Sequence, residues 1–496
     1  EKMFHSFRIK MVFSNAVHGT AIRFRPKPRG FPPRVCPFNS VKDRKKRGHS
    51  QTIRAARRPE CRGKGKRAVR EGSGNRTFPY ICTVPHNEAT RLMELHTDAK
   101  SRIEAVDALR GFAVMAILLV HNLEHFIFPV YPADSAGWLG TLDQGVSDVV
   151  FSLFAGKAYA IFALLFGFTF HIQADRRKRE GRDFGYRFLW RLVLLAGFAA
   201  LNAAFFPAGD VLLLFVAVGP VLFLTRRWSD GALLAAAVVL LSQPVEWYHY
   251  FASLADPAHR LPDFGVDALY AEAAEYTKAG DFGRFLAGNL TLGQKASLLW
   301  AVNAGRFVQT AGLFLLGCYI GRKRLFEPSG EHFRVWVRIL ICASVAFAPL
   351  YTLRQTAMEG DAIVRQTVGT VFDMWQKLAF TLVLVASFVL SYRNGKFAEA
   401  VGGLRFYGRM SLTNYIAQSV LGAFVYFPFG LYLAPHCGYT ASLAIGLLIF
   451  LLQMRFCKRW LSGHRQGPLE YVWHRWTWLG AKQTPGNPAG SGFSGN

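Results

Sequence analysis

Five ionisable side chains crowd the first long apolar stretch of this chain: Asp107, Arg110, His121, Glu124 and His125. A helix turns ~100° and rises ~1.5 Å per residue, so Arg110 and His121, eleven positions apart, point within about 20° of each other and sit ~16 Å apart along the axis. Asp107, Glu124 and His125 fall within about 60° of the same line. A guanidinium suits an anionic group. An imidazole, whose proton affinity lies near neutral pH, can take a proton from a hydroxyl or carry an acyl group. The structural alternative makes Arg110 an anchor at the cytoplasmic boundary, Asp107 its neighbour at the helix start, and residues 121–125 the wet outer end. Spacing alone leaves the two readings even.

Lys157 stands some eight residues inside the next apolar stretch and needs a partner there. Glu124 or an imidazole of the first helix lies at a similar depth, and an interhelical ion pair that clamps two helices is the commoner use of such a charge. Arg306, Asp373, Lys377, Arg409, Asn414 and Gln418 are the other polar residues in or bordering apolar stretches. Asn414 and Gln418 are four apart and share a helix face, which suits hydrogen bonding between helices. Gly317 and Gly321 have the small-residue spacing that lets helices approach closely. The sequence has no phosphate-binding loop with its lysine, no HExxH and no GxSxG. Its seven cysteines, at 36, 61, 82, 318, 342, 437 and 457, show no paired spacing, so no metal site is expected.

The elements that carry these residues are apolar stretches of the length needed to cross a bilayer, which is ~20 residues of helix. Ten are read, near 106–126, 149–172, 188–206, 209–225, 231–248, 298–320, 335–353, 370–392, 410–432 and 438–456. The expected fold is an all-α polytopic membrane protein of about ten transmembrane helices. Basic residues mark alternate connections: Arg176 to Arg191, Arg226 with Arg227, Arg322 to Arg324, and Arg393 to Arg409. Lys and Arg near helix ends stay on the cytoplasmic side, which puts these four connections and both termini inside. The longest outer connection, 249–297, contains an amphipathic stretch at 266–276 that could cap an outward-facing site.

Mean hydropathy is only +0.17 because a basic segment dilutes the apolar remainder. Residues 1–92 hold 23 Lys plus Arg against 5 Asp plus Glu, a net +18 of the chain's +27. That composition suits a nucleic-acid arm, a lipid contact or a transit peptide, and none is specific. Residues 1–92 are therefore expected to be a disordered or non-native leader, with Met93 a normal start and no nucleic-acid partner implied. The transmembrane domain is expected over 93–480, divided into first-half helices 106–248, an outer loop 249–297 and a C-terminal part 298–480. Residues 481–496, rich in Gly and Pro, read as a disordered tail.

Five strings carry a resemblance: VDALRGFA at 106–113, FALLFG at 162–167, GLFLLG at 312–317, GRMSLTNY at 408–415 and GPLEYVWHR at 467–475. Over about 102 to 479 the chain resembles the YeiB-like bacterial membrane proteins, and the last two strings look like domain of unknown function 418, which defines that family. The resemblance implies a multi-pass protein of the bacterial inner membrane in contact with lipid. The opening helix is also similar to that of transmembrane acyltransferases, including the acyltransferase-three group and the heparan-glucosaminide acetyltransferase type, which share Asp-x-x-Arg-Gly. In the acyltransferase-three group an Arg is followed after ten residues by a His, and Arg110 with His121 fits. That similarity implies acyl-donor contact for Arg110 and acid/base or acyl-carrier chemistry for His121, an imidazole that burial by Lys157 or Glu124 would retune. The leading expectation is acyl transfer from a cytoplasmic acyl-CoA to an outward small-molecule or glycan acceptor, with Asp107, His125, Lys157, Asn414 and Gln418 as supporting binding residues. The rival is a transporter or flippase using the same polar stripe, and a scaffold is the third reading.

Overall fold

The computed structural model describes residues 103–479 apart from 128–129, 131–134, 136, 208 and 210; the expectations for 1–92 and 481–496 lie outside these residues. Among the described residues there is no strand. The α-helices, in chain order, are α1 (Glu104–Leu123), α2 (Gly137–Phe154), α3 (Lys157–Arg179), α4 (Gly185–Phe205), α5 (Val211–Val218), α6 (Pro220–Thr225) and α7 (Asp230–Leu241). They continue with α8 (Pro244–Ala255), α9 (Val266–Lys278), α10 (Phe282–Gly288), α11 (Gln294–Asn303), α12 (Arg306–Arg322), α13 (Gly330–Met358) and α14 (Ala362–Gln366). The last six are α15 (Val368–Ser391), α16 (Gly395–Ala400), α17 (Gly402–Arg409), α18 (Ser411–Tyr426), α19 (Tyr439–Gly463) and α20 (Pro468–Thr477). The all-α class and the membrane character expected from the sequence hold.

Among the described residues, six helices are long and apolar enough to cross a membrane, or seven if the pair α7 and α8, bent by 49°, is one crossing. The other expected stretches are broken or short, one of the six spans is also interrupted, and Pro and left-handed residues account for the breaks. Pro220 cannot donate to the helix before it, so the stretch at 209–225 splits into α5 and α6. Pro244 does the same after Gln243, whose φ of 60° is left-handed. Gly305, at φ 61°, interrupts the stretch at 298–320, and Gly156, at φ 74°, interrupts the one at 149–172. The helix expected to reach 432 stops at Tyr426.

Helix α1 lies at the centre, touching α2, α3, α15, α17, α18 and α19, and is buried on nearly every face from Val106 to Leu123. Its polar stripe does face the interior, but so does the rest of it. Four of the five family-like strings meet one another in two tight crossings. Gly111 of α1 faces Gly408 of α17, where an added Cβ would strike the carbonyl of Asp107. Gly167 of α3 faces the Phe314 carbonyl of α12, and Gly317 faces that of Leu164. Glycine at these points lets backbones touch, the packing expected from the Gly317 spacing.

The basic connections converge on one end of the bundle. Arg322 donates to the carbonyls of Arg226 and Trp228, and Arg393 to that of Ser329. Arg405 pairs with Glu104 at 2.5 Å, Arg409 donates to Arg465 O, and Arg187 to Thr477 O.

Candidate functional site

A cavity of about 270 Å³ opens at this basic end, walled by α1, α3, α4, α5, α18, α20 and the end of α17. Its polar residues are Arg110, Thr169, Gln173, Arg191, Arg409, Ser411, Gln466, Glu470 and His474. Deeper walls are apolar, including Phe162, Phe166, Leu192, Leu195 and Phe215, and Tyr415 is also part of the lining. A wider groove of about 430 Å³ runs along α19 beside Arg455, Lys458 and Arg459, but it is shallow and formed by one helix.

Arg110 is held on both sides: Nη1 donates to Asp107 Oδ1 at 3.2 Å and Nη2 to Thr169 Oγ1 at 2.9 Å. The short amphipathic helix α20 closes the cavity. Its Glu470 accepts from the Leu412 and Thr413 amides at 2.8 and 3.1 Å and from the Thr413 hydroxyl at 2.5 Å, so a residue nearly sixty positions away caps the start of α18. Burial holds the Glu470 carboxyl above its usual range, against the pull of these hydrogen bonds. Trp473 donates to Arg191 O at 3.2 Å and lies under the Arg191 guanidinium at 4.1 Å. Burial, then the charges of Arg191, Arg177 and Arg176, hold the His474 imidazole below its usual range.

His121 is not part of the cavity lining but adjoins Tyr415, which is. Its ring is 6.1 Å from that of Tyr415, 4.5 Å from Phe206 and 5.3 Å from His125, and its buried Nδ1 makes no hydrogen bond. Helix α1 ends at Leu123, so Glu124 and His125 occupy the following turn and not the helical stripe. They pair with each other, His125 Nδ1 to Glu124 Oε2 at 3.5 Å. Tyr270 of α9 faces Glu124, and burial with that neighbouring charge raises its hydroxyl above the ordinary value. The 249–297 connection thus packs beside Glu124.

Lys157 corrects the sequence reading: it pairs with neither Glu124 nor an imidazole. Its Nζ donates to Phe151 O at 3.4 Å and faces the charges of Asp373, Lys377, Arg354 and Arg306. Asn414 does act as a tie between helices, donating to Tyr407 O at 2.9 Å and reaching Cys457 Sγ at 3.2 Å, while Gln453 donates to its carbonyl. Gln418 is fully buried, and neither atom of its amide has a hydrogen-bond partner.

The sequence reading missed Arg191, Glu470, Trp473 and His474 as cavity residues, although GPLEYVWHR was in view. The available signal was a helix too short to cross a bilayer yet rich in Trp, His and Arg. Asn122 was also missed. It is fully buried, donates to Leu118 O at 2.8 Å and accepts from the Tyr426 hydroxyl at 2.9 Å.

Residues 320–480 match a family described as protein of unknown function (DUF418), a range that contains the last two strings. The chain is 25% identical over 409 residues to uncharacterized protein YxaH of Bacillus subtilis, covering 77% of this chain and 96% of that one. It is 24% identical over 395 residues to an uncharacterized 39.9 kDa protein in an amylase 3' region of Bacillus acidopullulyticus, covering 76% and 94%. Identity to uncharacterized protein YeiB of Escherichia coli is 25% over 382 residues, covering 75% and 95%.

Proposed function

The chain belongs to the YeiB-like family with its domain of unknown function 418, and on that premise we propose that it transfers an acyl group from a cytoplasmic acyl-CoA to an acceptor at the outer face of the bacterial inner membrane. The supporting observation is the cavity: guanidinium groups stand among its polar residues, and apolar walls extend to Tyr415, whose ring adjoins His121. An amphipathic, anionic acyl donor matches that division. Its volume of about 270 Å³ sits at the small end of ligand pockets, ~300–1,000 Å³, so it suits the acyl and pantetheine arm with the nucleotide outside. The convergence of the basic connections supports ten crossings, four of them made by broken or short helices, with that end and both termini cytoplasmic.

In the proposed reaction the Tyr415 ring turns aside and the thioester reaches His121. The acceptor oxygen or nitrogen attacks the carbonyl as the imidazole takes its proton. The C–S bond then breaks, and the departing thiolate receives that proton to leave as CoA thiol.

A second reading, transport of an anionic solute or lipid without a covalent step, draws on the helices broken at Gly156, Gln243 and Gly305, since broken helices mark substrate paths in transporters. The two separate in one experiment. The purified full chain is given acetyl-CoA and longer acyl-CoAs, and CoA thiol release is followed with and without small hydroxyl and amine acceptors. Under acyl transfer, His121→Ala abolishes release while donor binding persists, and Arg110→Gln weakens donor binding about tenfold through loss of a charge-assisted contact. Absence of both CoA binding and thiol release overturns the proposal, and solute movement in vesicles then favours transport.

A further inference from the structure

At the start of α3, ~18 Å from mid-helix Thr169 by its helical rise, four basic side chains gather in the bundle. Lys157, Arg306 and Arg354 are each less than a tenth exposed. Arg354 Nε donates to Asp373 Oδ1 at 2.9 Å and Lys377 Nζ to Asp373 Oδ2 at 2.5 Å, so one carboxylate serves two cations. Among the described residues Arg306 and Lys157 have no carboxylate partner: Arg306 donates to Gln309 Oε1 at 2.9 Å and lies over the Tyr159 ring at 5.0 Å. The other acid nearby, Glu246, approaches Gly305 and makes no ion pair there. Four basic groups thus face two carboxylates.

The three breaks with left-handed residues meet here. Gly156 precedes α3 and lies against the Lys377 stem and an Arg306 nitrogen; a Cβ on it would be 3.0 Å from Lys377 Cδ and 3.5 Å from Arg306 Nη2. Gly305 precedes α12 and lies against Gln243 Oε1, 2.8 Å from where a Cβ would stand. Gln243 itself precedes α8. None of these three helices has a side-chain cap at its start, so each leaves backbone N–H groups and the positive end of its dipole toward the cluster. Gln243 is 1% exposed, and neither its amide nitrogen nor its oxygen has a hydrogen-bond partner. A buried amide in that condition costs stability unless a ligand satisfies it.

We infer that Arg306, Lys157, Lys377 and Gln243, at the meeting point of three broken helices, bind a phosphate group. The surplus of two positive charges favours a phosphate over a singly charged carboxylate, and a phosphate offers acceptors to guanidinium, ammonium, amide and helix N-termini together. The group can come from a phospholipid headgroup or from a soluble phosphate. This site is separate from the cavity beside Arg110 and holds under either reading of the activity.

The test uses the full chain in neutral detergent. Equilibrium binding of inorganic phosphate is measured at fixed ionic strength in chloride, beside binding of phosphatidic acid against diacylglycerol, the same lipid without its phosphate. Saturable phosphate binding identifies a soluble ligand, and phosphatidic acid bound in preference to diacylglycerol, without free phosphate, identifies a headgroup; both support the site. Arg306→Gln is expected to weaken the bound species about tenfold or more, and Gln243→Ala severalfold. Gln243→Ala removes no charge and supplies the readout if Arg306→Gln does not fold. No binding in either arm, unchanged affinity in the folded variants, or loss only in Arg110→Gln overturns the inference.

Discussion

The two ends of the bundle hold arginines in opposite ways. Beside the cavity, Arg110 with Asp107 and Thr169 and Arg191 with the Trp473 ring stand on unbroken stretches of α1 and α4 that line open space, and Arg409, at the end of α17, donates to the Arg465 carbonyl. Around Asp373, charges crowd between helices that stop and restart, and a single carboxylate is shared. The contrast teaches that a charged motif on a continuous helix builds a wall, whereas a helix break brings charges and bare backbone ends to one point. The first arrangement leaves room for an apolar chain; the second concentrates positive potential.

The largest effect belongs to the shared carboxylate: Asp373→Asn strips two cations of their partner and should destabilise the purified protein by about 3–5 kcal/mol in thermal unfolding. Asp107→Asn at the other end should cost only about 1 kcal/mol. Equal losses would erase the distinction between the ends. Next come the tight crossings. Gly408→Ala puts a Cβ onto the Asp107 carbonyl and should cost about 1–3 kcal/mol by the same assay, whereas Gly395→Ala, with open space around it, should be near neutral.

The smallest effect is one of pH and is confined to the cavity end. His474 is held below its ordinary value, so between that ordinary value and the lowered one the unfolded chain binds more protons and stability falls as pH falls. Glu470 is held above its ordinary value and contributes the opposite slope, losing stability as pH rises through its own window. Acidification from about pH 7 toward 5 therefore carries a loosening contribution from His474 set against a tightening one from Glu470, so His474→Gln should make α20 less sensitive to acid than in the parent protein, read as tryptophan fluorescence. An unchanged acid response in His474→Gln would take His474 out of that role.

Much of the fold was legible because the hydropathy pattern is long-range and simple. The positions of α1, α4, α13, α15 and α19 follow it within several residues, and the four basic connections that it places on one side do gather at one end. Breaks were less legible. Hydropathy does not register Gly156 or Gly305, because an apolar window continues across them while the backbone turns left-handed. Arg354 was lost for a related reason: apolar character ends near 353, yet α13 runs to Met358 and carries the guanidinium to Asp373. The family-like strings were recognisable, but their glycines largely serve backbone contact between α1 and α17 and between α3 and α12.

The sequence by itself determined that this is an all-α membrane protein, which end of each long helix is basic, and that Arg110 and His121 share a face. These follow from composition and helical periodicity, which are local. Only the tertiary structure decided what each charge meets: that Tyr415 touches both Arg110's cavity and the His121 ring, that Glu470 caps α18, and that Lys157 joins Arg306 and Lys377 and not Glu124. Partnership between residues a hundred or more positions apart depends on how helices pack and where they break. Those choices are set by close backbone contacts at glycines such as Gly167, Gly317 and Gly408, which periodicity does not encode.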